Sequence, residues 1–310
     1  MFSIGIDIGG TKIAAGLVNQ DGEILESYIE ETSSANLEKI NDDIVFLSEK
    51  LAKDKQIVGI GVATTGFISK DRDKILFGTN IEHKSYNLKK VLEERLPYKI
   101  VIENDANAAG WAEYKFGAGK GASSMLMITS GTGIGGANII DNKLVRGNYG
   151  KGGEVGHMKI VPNGAWCSCG LSGCLEAYAS GSALVRNATN LLKANPSKMQ
   201  NILKHCPENK IIGPAITLAA QEGDETAKDL LAEIGYWIGY GAANLATIND
   251  PEIIVIGGGV CAAKDLILKH VKSSYYENLS SGAYTDTADI VLAQMQNDAG
   301  MIGSADLARV

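Results

Sequence analysis

The strongest constraint on the fold is a unit that occurs twice in the chain. In each copy an apolar, strand-like run leads into a glycine-rich turn, a second strand, a polar turn and a third strand. The first copy begins at residue 3 and the second at residue 124, and their alignment places Thr11 over Thr132 and the turn at 19–22 over the turn near 141. Such a duplication predicts two related lobes whose phosphate-sized glycine turns face each other.

Helical periodicity places the remaining elements around these two copies. Apolar residues at helical spacing predict helices over residues 37–51, 104–114, 225–247 and 298–308. Short apolar runs predict strands at 58–63, 100–102 and 253–256. Strands followed by a helix and a further strand favour a mixed α/β architecture. Gly235 and Gly239 lie four apart in the third helix, which indicates close packing on another helix, either inside one lobe or between subunits.

Length and charge restrict the class of protein. A chain of 310 residues is long enough for two lobes. Its net charge of −7 disfavours nucleic acid as a partner, because nucleic-acid binding depends on basic surface. The N-terminus lacks the features of a signal peptide, and the longest apolar segment, 253–263, is too short to span a bilayer. We therefore expect a cytoplasmic protein with no membrane partner.

Two of the glycine turns are candidate phosphate sites. Asp7 ends a strand directly before Gly9-Gly10-Thr11-Lys12, and the backbone amides of such a turn bind anionic oxygens while the acid holds a hydrated Mg²⁺. The second turn contains Gly131-Thr132-Gly133. It formally matches a dinucleotide fingerprint, but a strand follows where that fingerprint requires a helix. The pair predicts a nucleoside triphosphate site, and the alternative for the first turn is an ordinary hairpin.

A third glycine run follows the strand at 253–256. Gly257, Gly258 and Gly259 bring bare backbone close to a flat group such as adenosine, or else form a sharp turn between a strand and a helix.

Asp105 follows a predicted strand and stands at the start of a predicted helix. A carboxylate there is suited to accept a proton from a substrate hydroxyl, as phosphoryl transfer requires. The alternative is that Asp105 caps the helix, whose N-cap is either Asn104 or Asp105. Glu103, Asn104 and Asn107 surround it in sequence with the hydrogen-bonding groups that suit a sugar.

One histidine and three cysteines form a candidate metal site. An odd number of cysteines, five, in a chain without an export signal favours a reducing compartment, where clustered cysteines bind metal. The four ligands would be His157, Cys167, Cys169 and Cys174. They suit a closed, structural Zn²⁺ site, and the alternative is three ordinary buried thiols. Glu154 and Glu176 flank the set.

The motifs together resemble those of the ROK (repressor, open reading frame, kinase) sugar kinases. The resemblance extends over essentially the whole chain, and in finer detail it is to the bacterial glucokinases of that family. It rests on the stretches DIGGTK at 7–12, ENDANAA at 103–109, TSGTGIGG at 129–136, GGEVGH at 152–157, CSCGLSGCLE at 167–176 and IGGG at 256–259. It implies an α/β fold with two actin-like, ribonuclease-H-like lobes and a central cleft. The lobes would be a small one, 1–115 with the helix 297–310 packing back on it, and a large one, 116–296, with the zinc-binding loop.

The resemblance also implies roles for particular residues. Asp105 would be the base that takes the proton from the sugar 6-hydroxyl. ATP and Mg²⁺ would be bound by Asp7, Gly9, Gly10, Thr11, Lys12, Gly131, Thr132, Gly133, Gly257, Gly258 and Gly259. The hexose would be bound by Gly66, Asn80, Asn104, Asp105, Glu154, His157 and Glu176. His157 would bind zinc through one ring nitrogen and face the sugar with the other.

The function expected from these motifs is ATP-dependent phosphorylation of glucose to glucose 6-phosphate. Thr64-Thr65, Thr79 and His83 depart from the family pattern near the expected sugar site. They leave open another hexose (mannose, fructose or N-acetylmannosamine), and polyphosphate stays open as the donor. A remote alternative is a sugar-sensing repressor, which is disfavoured because the DIGGTK motif begins at residue 7 and leaves no room for a DNA-binding domain. Relatives lead us to expect a homodimer or homotetramer.

Overall fold

The computed structural model of the chain describes residues 1–32, 36–77, 85–279 and 286–310. These residues divide into two compact units. Unit 1 comprises Met1–Ser123, Ala137–Gly153 and Gln294–Val310, and unit 2 comprises Ser124–Gly136 and Glu154–Ala293. The lobe boundaries inferred from the sequence, 1–115 with 297–310 and 116–296, stay a prediction.

Strands and helices alternate along much of the chain. The strands are β1 (Phe2–Ile8), β2 (Lys12–Val18), β3 (Ile24–Glu31), β4 (Ile57–Thr64), β5 (Phe67–Ile68), β6 (Ile75–Phe77), β7 (Ile100–Asn104), β8 (Met125–Ser130), β9 (Ile134–Ile140), β10 (Lys143–Leu144), β11 (Ile253–Gly257) and β12 (Asp289–Leu292). The α-helices are α1 (Leu37–Ala52), α2 (Leu88–Glu93), α3 (Asp105–Phe116), α4 (Glu176–Ala179), α5 (Gly181–Ala194), α6 (Gln200–Lys204), α7 (Gly213–Gln221), α8 (Glu225–Asn249), α9 (Asp265–Asn278) and α10 (Ala299–Leu307). Short 3-10 helices cover Val155–His157, Pro196–Met199, Pro207–Asn209, Gly259–Ala263 and Gln296–Asp298.

The two main sheets have the same topology. The first has the order β3-β2-β1-β4-β7, and the second has the order β10-β9-β8-β11-β12. In the first, β1 pairs antiparallel with β2 and parallel with β4. In the second, β11 pairs parallel with both β8 and β12. Counted within each copy, both orders read 3-2-1-4-5, so the predicted duplication and the α/β class are confirmed.

Glycines determine how closely α10 packs on the first sheet. The isoleucines of β1 are buried in one cluster with apolar residues of α1. A Cβ atom on Gly5 would lie 1.8 Å from the carbonyl oxygen of Met301, and one on Gly61 would lie 1.8 Å from that of Ser304. Since α10 approaches the sheet backbone this closely, only glycine fits at these two positions. The packing fixes the carboxyl ends of β1 and β4, next to the end of β7.

The two glycines in the middle of α8 pack on α9. A Cβ atom on Gly235 would lie 2.8 Å from the Cβ of His270, and one on Gly239 would lie 2.3 Å from the carbonyl oxygen of Val271. Both contacts are made inside unit 2. Of the two interpretations that the sequence left open, packing within one lobe is therefore confirmed.

A buried carboxylate holds the ends of two segments of unit 1 together. Glu113 of α3 is fully buried. Its Oε2 accepts a hydrogen bond from the amide of Ala118, at 2.9 Å, and its Oε1 accepts from the amides of Gln294 and Met295, at 2.8 and 2.7 Å. Chain segments more than 170 residues apart in sequence, 118 and 294–295, thus depend on one side chain for backbone hydrogen bonds.

Replacing Glu113 by alanine should destabilise the protein by about 3–5 kcal/mol, because three backbone amides lose their buried, charged acceptor. Glu113→Gln should cost roughly half as much, since the amide oxygen still accepts from two of the three donors. The matched control is Glu49→Ala at an exposed position of α1, which should change stability by less than about 0.5 kcal/mol. Thermal unfolding midpoints measure the difference. A Glu113→Ala midpoint equal to that of Glu49→Ala would contradict the role of this side chain.

Within the described residues, no helix combines the length and the apolar character that crossing a membrane requires.

Candidate active site

At the start of α3 the sequence left open which residue caps the helix and which carboxylate is available to accept a proton. Asn104 is the N-cap, and its Oδ1 accepts a hydrogen bond from the amide of Asn107 at 3.0 Å. Its Nδ2 donates to the carbonyl oxygen of Gly66 at 3.1 Å. Asp105 is the first helical residue, so the interpretation of Asp105 as the N-cap is wrong. Its carboxylate is left for another purpose.

The Asp105 carboxylate has only local partners. Its Oδ1 accepts from the amide of Ala106 at 2.9 Å, and no side chain of the described residues donates to it. Burial raises the pKa of Asp105, and hydrogen bonds from its own amide and that of Ala106 act in the opposite direction. A carboxylate with a raised pKa, open to an incoming hydroxyl, is suited to general-base work near neutral pH.

Asp7 is the second carboxylate at this edge of the sheet. It pairs with Ala63 of β4, which in turn pairs with Glu103 of β7, so Asp7 lies close to the start of α3. Burial and then the negative charge of Asp105 raise the pKa of Asp7 to about 6, while Lys12 lowers it. The two acids repel each other, and a divalent cation held by Asp7 would relieve that repulsion. The donor chemistry therefore fits Mg²⁺.

Asp7→Asn should stabilise the ligand-free protein above about pH 6 by roughly 1–3 kcal/mol. The folded-state pKa of Asp7 is raised, so the folded protein binds the additional proton and its stability falls as the pH rises from about 4 to about 6. Asparagine removes this penalty. Below about pH 4 the variant and the wild type should have the same thermal midpoint, because Asp7 is then neutral in both the folded and the unfolded protein. Thermal midpoints across this pH range measure the effect. A gain that does not change with pH would contradict it.

The first glycine turn joins β1 to β2. The amide of Gly9 donates to the carbonyl oxygen of Lys12 at 2.9 Å, and Thr11 accepts a hydrogen bond from Thr32 at 3.1 Å. Gly10, Thr11 and Lys12 are exposed. The turn is a tight hairpin whose tip is available to a ligand.

The second glycine turn joins β8 to β9 and lies beside the N-terminus of α5. The carbonyl oxygen of Gly131 accepts from the amide of Gly181 at 2.8 Å, and that of Thr132 accepts from the Ser182 hydroxyl at 2.7 Å. A Cβ atom on Gly133 would lie 2.4 Å from Oε2 of Glu176. The positive end of the α5 dipole adds to the attraction that the turn has for an anion.

The third glycine run forms a sharp turn against the second. Gly258 has a φ of +89°, and a Cβ atom there would lie 2.4 Å from the carbonyl oxygen of Ser130. Around Gly259 there is open space within 4 Å of an added Cβ. The sharp strand-to-helix turn is thus present, and the predicted contact of Gly257–Gly259 with adenosine stays a prediction.

The predicted metal ligands converge in unit 2. The ligand atoms of His157, Cys167, Cys169 and Cys174 all lie within 4.8 Å of one another. The Cys167 Sγ is 3.9 Å from the His157 Nδ1, and the Cys169 and Cys174 Sγ atoms are 3.6 Å apart. Tetrahedral zinc separates its ligands by about 3.5–3.8 Å, so the set fits Zn²⁺. Cys169 is exposed, whereas Cys167 and Cys174 are buried. The Zn²⁺ site stays a prediction, which this convergence of ligand atoms supports.

The turns between the cysteines also suit a metal loop. Gly170 and Gly173 have φ values of +86° and +80°, which glycine adopts without strain. The Lys159 ammonium lies 2.8 Å from the Cys174 Sγ, a contact that raises the pKa of Lys159. This cation would offset the excess negative charge of three thiolates around one Zn²⁺.

Glu176 connects the zinc loop to the second glycine turn. Its Oε2 accepts from the amide of Ile134 at 3.0 Å. Its Oε1 accepts from the Ser168 hydroxyl at 2.8 Å and lies 3.4 Å from the Cys167 Sγ. Glu154 precedes the 3-10 helix that carries His157 and is partly exposed.

Not every expectation about the sugar site can be followed in the structure, and two arginines near it were not predicted. Asn80, Thr79 and His83 lie outside the described residues. The expectation that Glu103 and Asn107 help to form a polar, sugar-facing cluster is wrong, because they are 1% and 2% exposed. Arg72 and Arg146, which contact Glu103, were missed because neither belongs to a recognisable motif.

Comparison with known proteins identifies the family. The family model described as ROK matches residues 3–310. The chain belongs to the ROK family. A glucokinase of Streptomyces coelicolor is 42% identical over 310 residues, covering 99% of this chain and 97% of the relative. The structure of a ROK family glucokinase from Streptomyces griseus in complex with glucose and AMPPNP superposes with a TM-score of 0.90 at 40% identity, covering 100% of this chain and 99% of that one. A ROK hexokinase from Thermus thermophilus gives a TM-score of 0.81 at 30% identity, with 99% and 98% covered.

Proposed function

We propose that this ROK protein is an ATP-dependent glucokinase that converts glucose to glucose 6-phosphate. One observation carries the proposal: Asn104 caps α3, and the adjacent Asp105 carboxylate, whose pKa is raised by burial, has no side-chain donor among the described residues. The glucokinases to which the chain is similar support the choice of reaction and of sugar.

Asp105 acts as the general base. The oxygen of the sugar 6-hydroxyl attacks the γ-phosphorus of ATP, the bond from that phosphorus to the bridging oxygen of ADP breaks, and the hydroxyl proton passes to a carboxylate oxygen of Asp105. The raised pKa makes Asp105 a stronger proton acceptor than an ordinary aspartate.

The phosphates of ATP are bound by backbone amides and by a cation. The turns at Gly9–Lys12 and Gly131–Gly133 supply amides, and Gly257–Gly259 accepts the adenosine. Asp7 would hold Mg²⁺, which supplies charge neutralisation of the transferring phosphoryl group when bound. Such positioning and electrostatic stabilisation account for most of the rate enhancement in phosphoryl transfer.

The sugar hydroxyls are bound by Gly66, Asn80, Asn104, Glu154, His157 and Glu176. In His157 the Nδ1 atom is the one beside the cysteine sulfurs, which leaves Nε2 for the sugar. The location in the cytoplasm, expected from the sequence, and the assembly into a homodimer or homotetramer, expected from relatives, belong to the same proposal.

A panel of acceptors tests the proposal. Glucose, mannose, fructose and N-acetylmannosamine are compared as substrates at equal concentration, first with ATP by ADP release and then with polyphosphate by sugar phosphate formation. We expect glucose with ATP to have the highest kcat/KM by at least about tenfold. A higher value for another sugar would assign the protein to that hexose, and turnover with polyphosphate alone would change the donor.

A further inference from the structure

Glu103, two residues before the proposed base, carries a buried negative charge. It is 1% exposed at the end of β7. Its Oε1 accepts from the backbone amide of Asn104 at 2.9 Å and from Nδ2 of Asn107 at 3.2 Å. The carboxylate therefore holds the backbone of the cap residue to which Asp105 is attached, and also the first turn of the helix that follows.

Two arginines compensate this charge. The Nε atom of Arg146 lies 2.8 Å from Oε2 of Glu103 and donates to Oε1 at 3.2 Å. The Nε atom of Arg72 lies 3.2 Å from Oε2. The side chain of Arg146 is 10% exposed and that of Arg72 is 25% exposed. A buried carboxylate is tolerated when its charge is paired. The Oε1 atom of Glu103 accepts hydrogen bonds, whereas Oε2 is buried without one and depends on the charges of the two guanidinium groups beside it.

Arg146 also fixes the turn between β5 and β6. Its Nη1 donates to the carbonyl oxygen of Lys70 at 2.9 Å, and its Nη2 donates to that of Ser69 at 3.0 Å. Each of its three nitrogens thus has an acceptor, and the guanidinium connects three separate segments of unit 1. Lysine, with a single nitrogen, lacks the fork that this arrangement uses.

Arg72 reaches β7 by its backbone as well. Its φ of +55° turns the chain at the end of the β5–β6 hairpin, and its carbonyl oxygen accepts from the amide of Ile102 at 3.2 Å. The hairpin is therefore attached to the strand that carries Glu103 both by a backbone hydrogen bond and by an ion pair.

We propose that Arg146 is a positioning residue for phosphoryl transfer, which acts through Glu103 to hold Asn104 and Asp105 in their reactive arrangement. The inference rests on the proposed function, because it assigns the base role to Asp105. Without Arg146, Glu103 would keep one partially exposed arginine and would move toward solvent, and the Asn104 amide bonded to it would move with it. Misplacing a catalytic group by about 1 Å can cost about a hundredfold in rate.

The test is a double-mutant cycle on kcat with Arg146→Gln, Glu103→Gln and the pair. Arg146→Gln is expected to lower kcat at least about tenfold while the KM for ATP changes by less than about twofold. Because both changes act through one contact, the double variant should lose no more activity than the worse single variant. Arg146→Lys, which keeps the charge, should recover part of the loss. Arg95→Ala, at an exposed ion pair with Asp42, is the matched control and should leave kcat unchanged.

Several results would overturn the proposal. One is a kcat of the Arg146→Gln variant within about twofold of wild type. Another is a double variant whose loss of kcat equals the product of the two single losses. A loss that appears only in thermal stability would do the same. If Arg146→Gln does not fold, Glu103→Gln is tested instead, because it preserves the length of the side chain. We expect it to lower kcat at least about fivefold, and an unchanged kcat would overturn the inference. If the wild-type protein phosphorylates none of the sugars, the proposed function and this inference are both contradicted. If the wild type is active and the Arg146→Gln variant is equally active, only the inference is contradicted.

Discussion

Asp105→Asn should lower kcat by about 10²–10⁴-fold while the Kd for glucose stays within about threefold of wild type. Asparagine has nearly the shape of aspartate, and its Oδ1 can still accept from the amide of Ala106 as Asp105 does. The helix cap is undisturbed because it is formed by Asn104. What the variant loses is the ability to accept the proton of the 6-hydroxyl.

The fold should not suffer from this substitution. Burial raises the pKa of Asp105, so that the ionised carboxylate costs stability near neutral pH and its replacement by a neutral amide removes that cost. The thermal midpoint of the variant should therefore equal or exceed that of the wild type. Asp54→Asn, the same chemical change at an exposed position of unit 1, is the matched control and should have wild-type kcat.

Steady-state kinetics and calorimetric titration with glucose separate the two possible effects. A variant that retains more than about a tenth of the wild-type kcat, a loss of under about 1.4 kcal/mol, would show that Asp105 is not the base. A variant that loses glucose affinity in proportion to its turnover would instead make Asp105 a binding residue.

The parts of the fold that the sequence predicts are encoded locally. Alternating apolar residues predict strands such as β1 and β8, and glycine at a required turn fixes how they connect. Because both signals occur twice at matching spacing, the duplicated sheet could be predicted before either copy was seen. The convergence of the four candidate metal ligands could be predicted for the same reason, since they lie within eighteen residues of one another.

The parts that the sequence did not predict depend on distant partners. Glu103 is stabilised by arginines 31 and 43 positions away in the chain. The partners of Glu113 at the start of the last segment are 181 and 182 positions away. No local pattern shows that either carboxylate is buried, and a charged residue in a polar stretch is most simply taken to be exposed. The choice between Asn104 and Asp105 as the cap likewise needs backbone geometry, because both residue types cap helices well.

Removing zinc should raise the KM for glucose by at least about tenfold and lower the thermal midpoint of unit 2, with a smaller effect on kcat. Few apolar side chains hold this loop: the buried cluster around it consists of Cys167, Cys174 and Ala177. In zinc-binding peptides the metal contributes about 10–16 kcal/mol to folding, far more than such a cluster can replace. Without the ion, the segment that carries His157 loses its main constraint.

The hydrogen bonds of Glu176 extend this effect beyond the loop. This side chain contacts both the cysteine loop, through Ser168, and the second glycine turn, through the Ile134 amide. Loss of the metal should therefore also raise the KM for ATP, by about two- to fivefold, since a single hydrogen-bonded contact of roughly 1 kcal/mol is disturbed. If only the KM for glucose rises, Glu176 does not couple the cysteine loop to the second glycine turn.

Cys169→Ser and chelation provide two independent ways to remove the ion, and Cys206→Ser is the matched control. Cys206 is a partly buried thiol outside the ligand set whose Sγ contacts the carbonyl oxygen of Ile202, so its replacement should leave the zinc content at one ion per chain. Zinc content by mass spectrometry, thermal midpoint and the two KM values are measured on the same samples. Zinc-free protein that keeps the wild-type midpoint and the wild-type KM for glucose would refute the structural role of the metal. The chemical step, which we propose depends on Asp105 in unit 1, should remain in whatever fraction still binds the sugar.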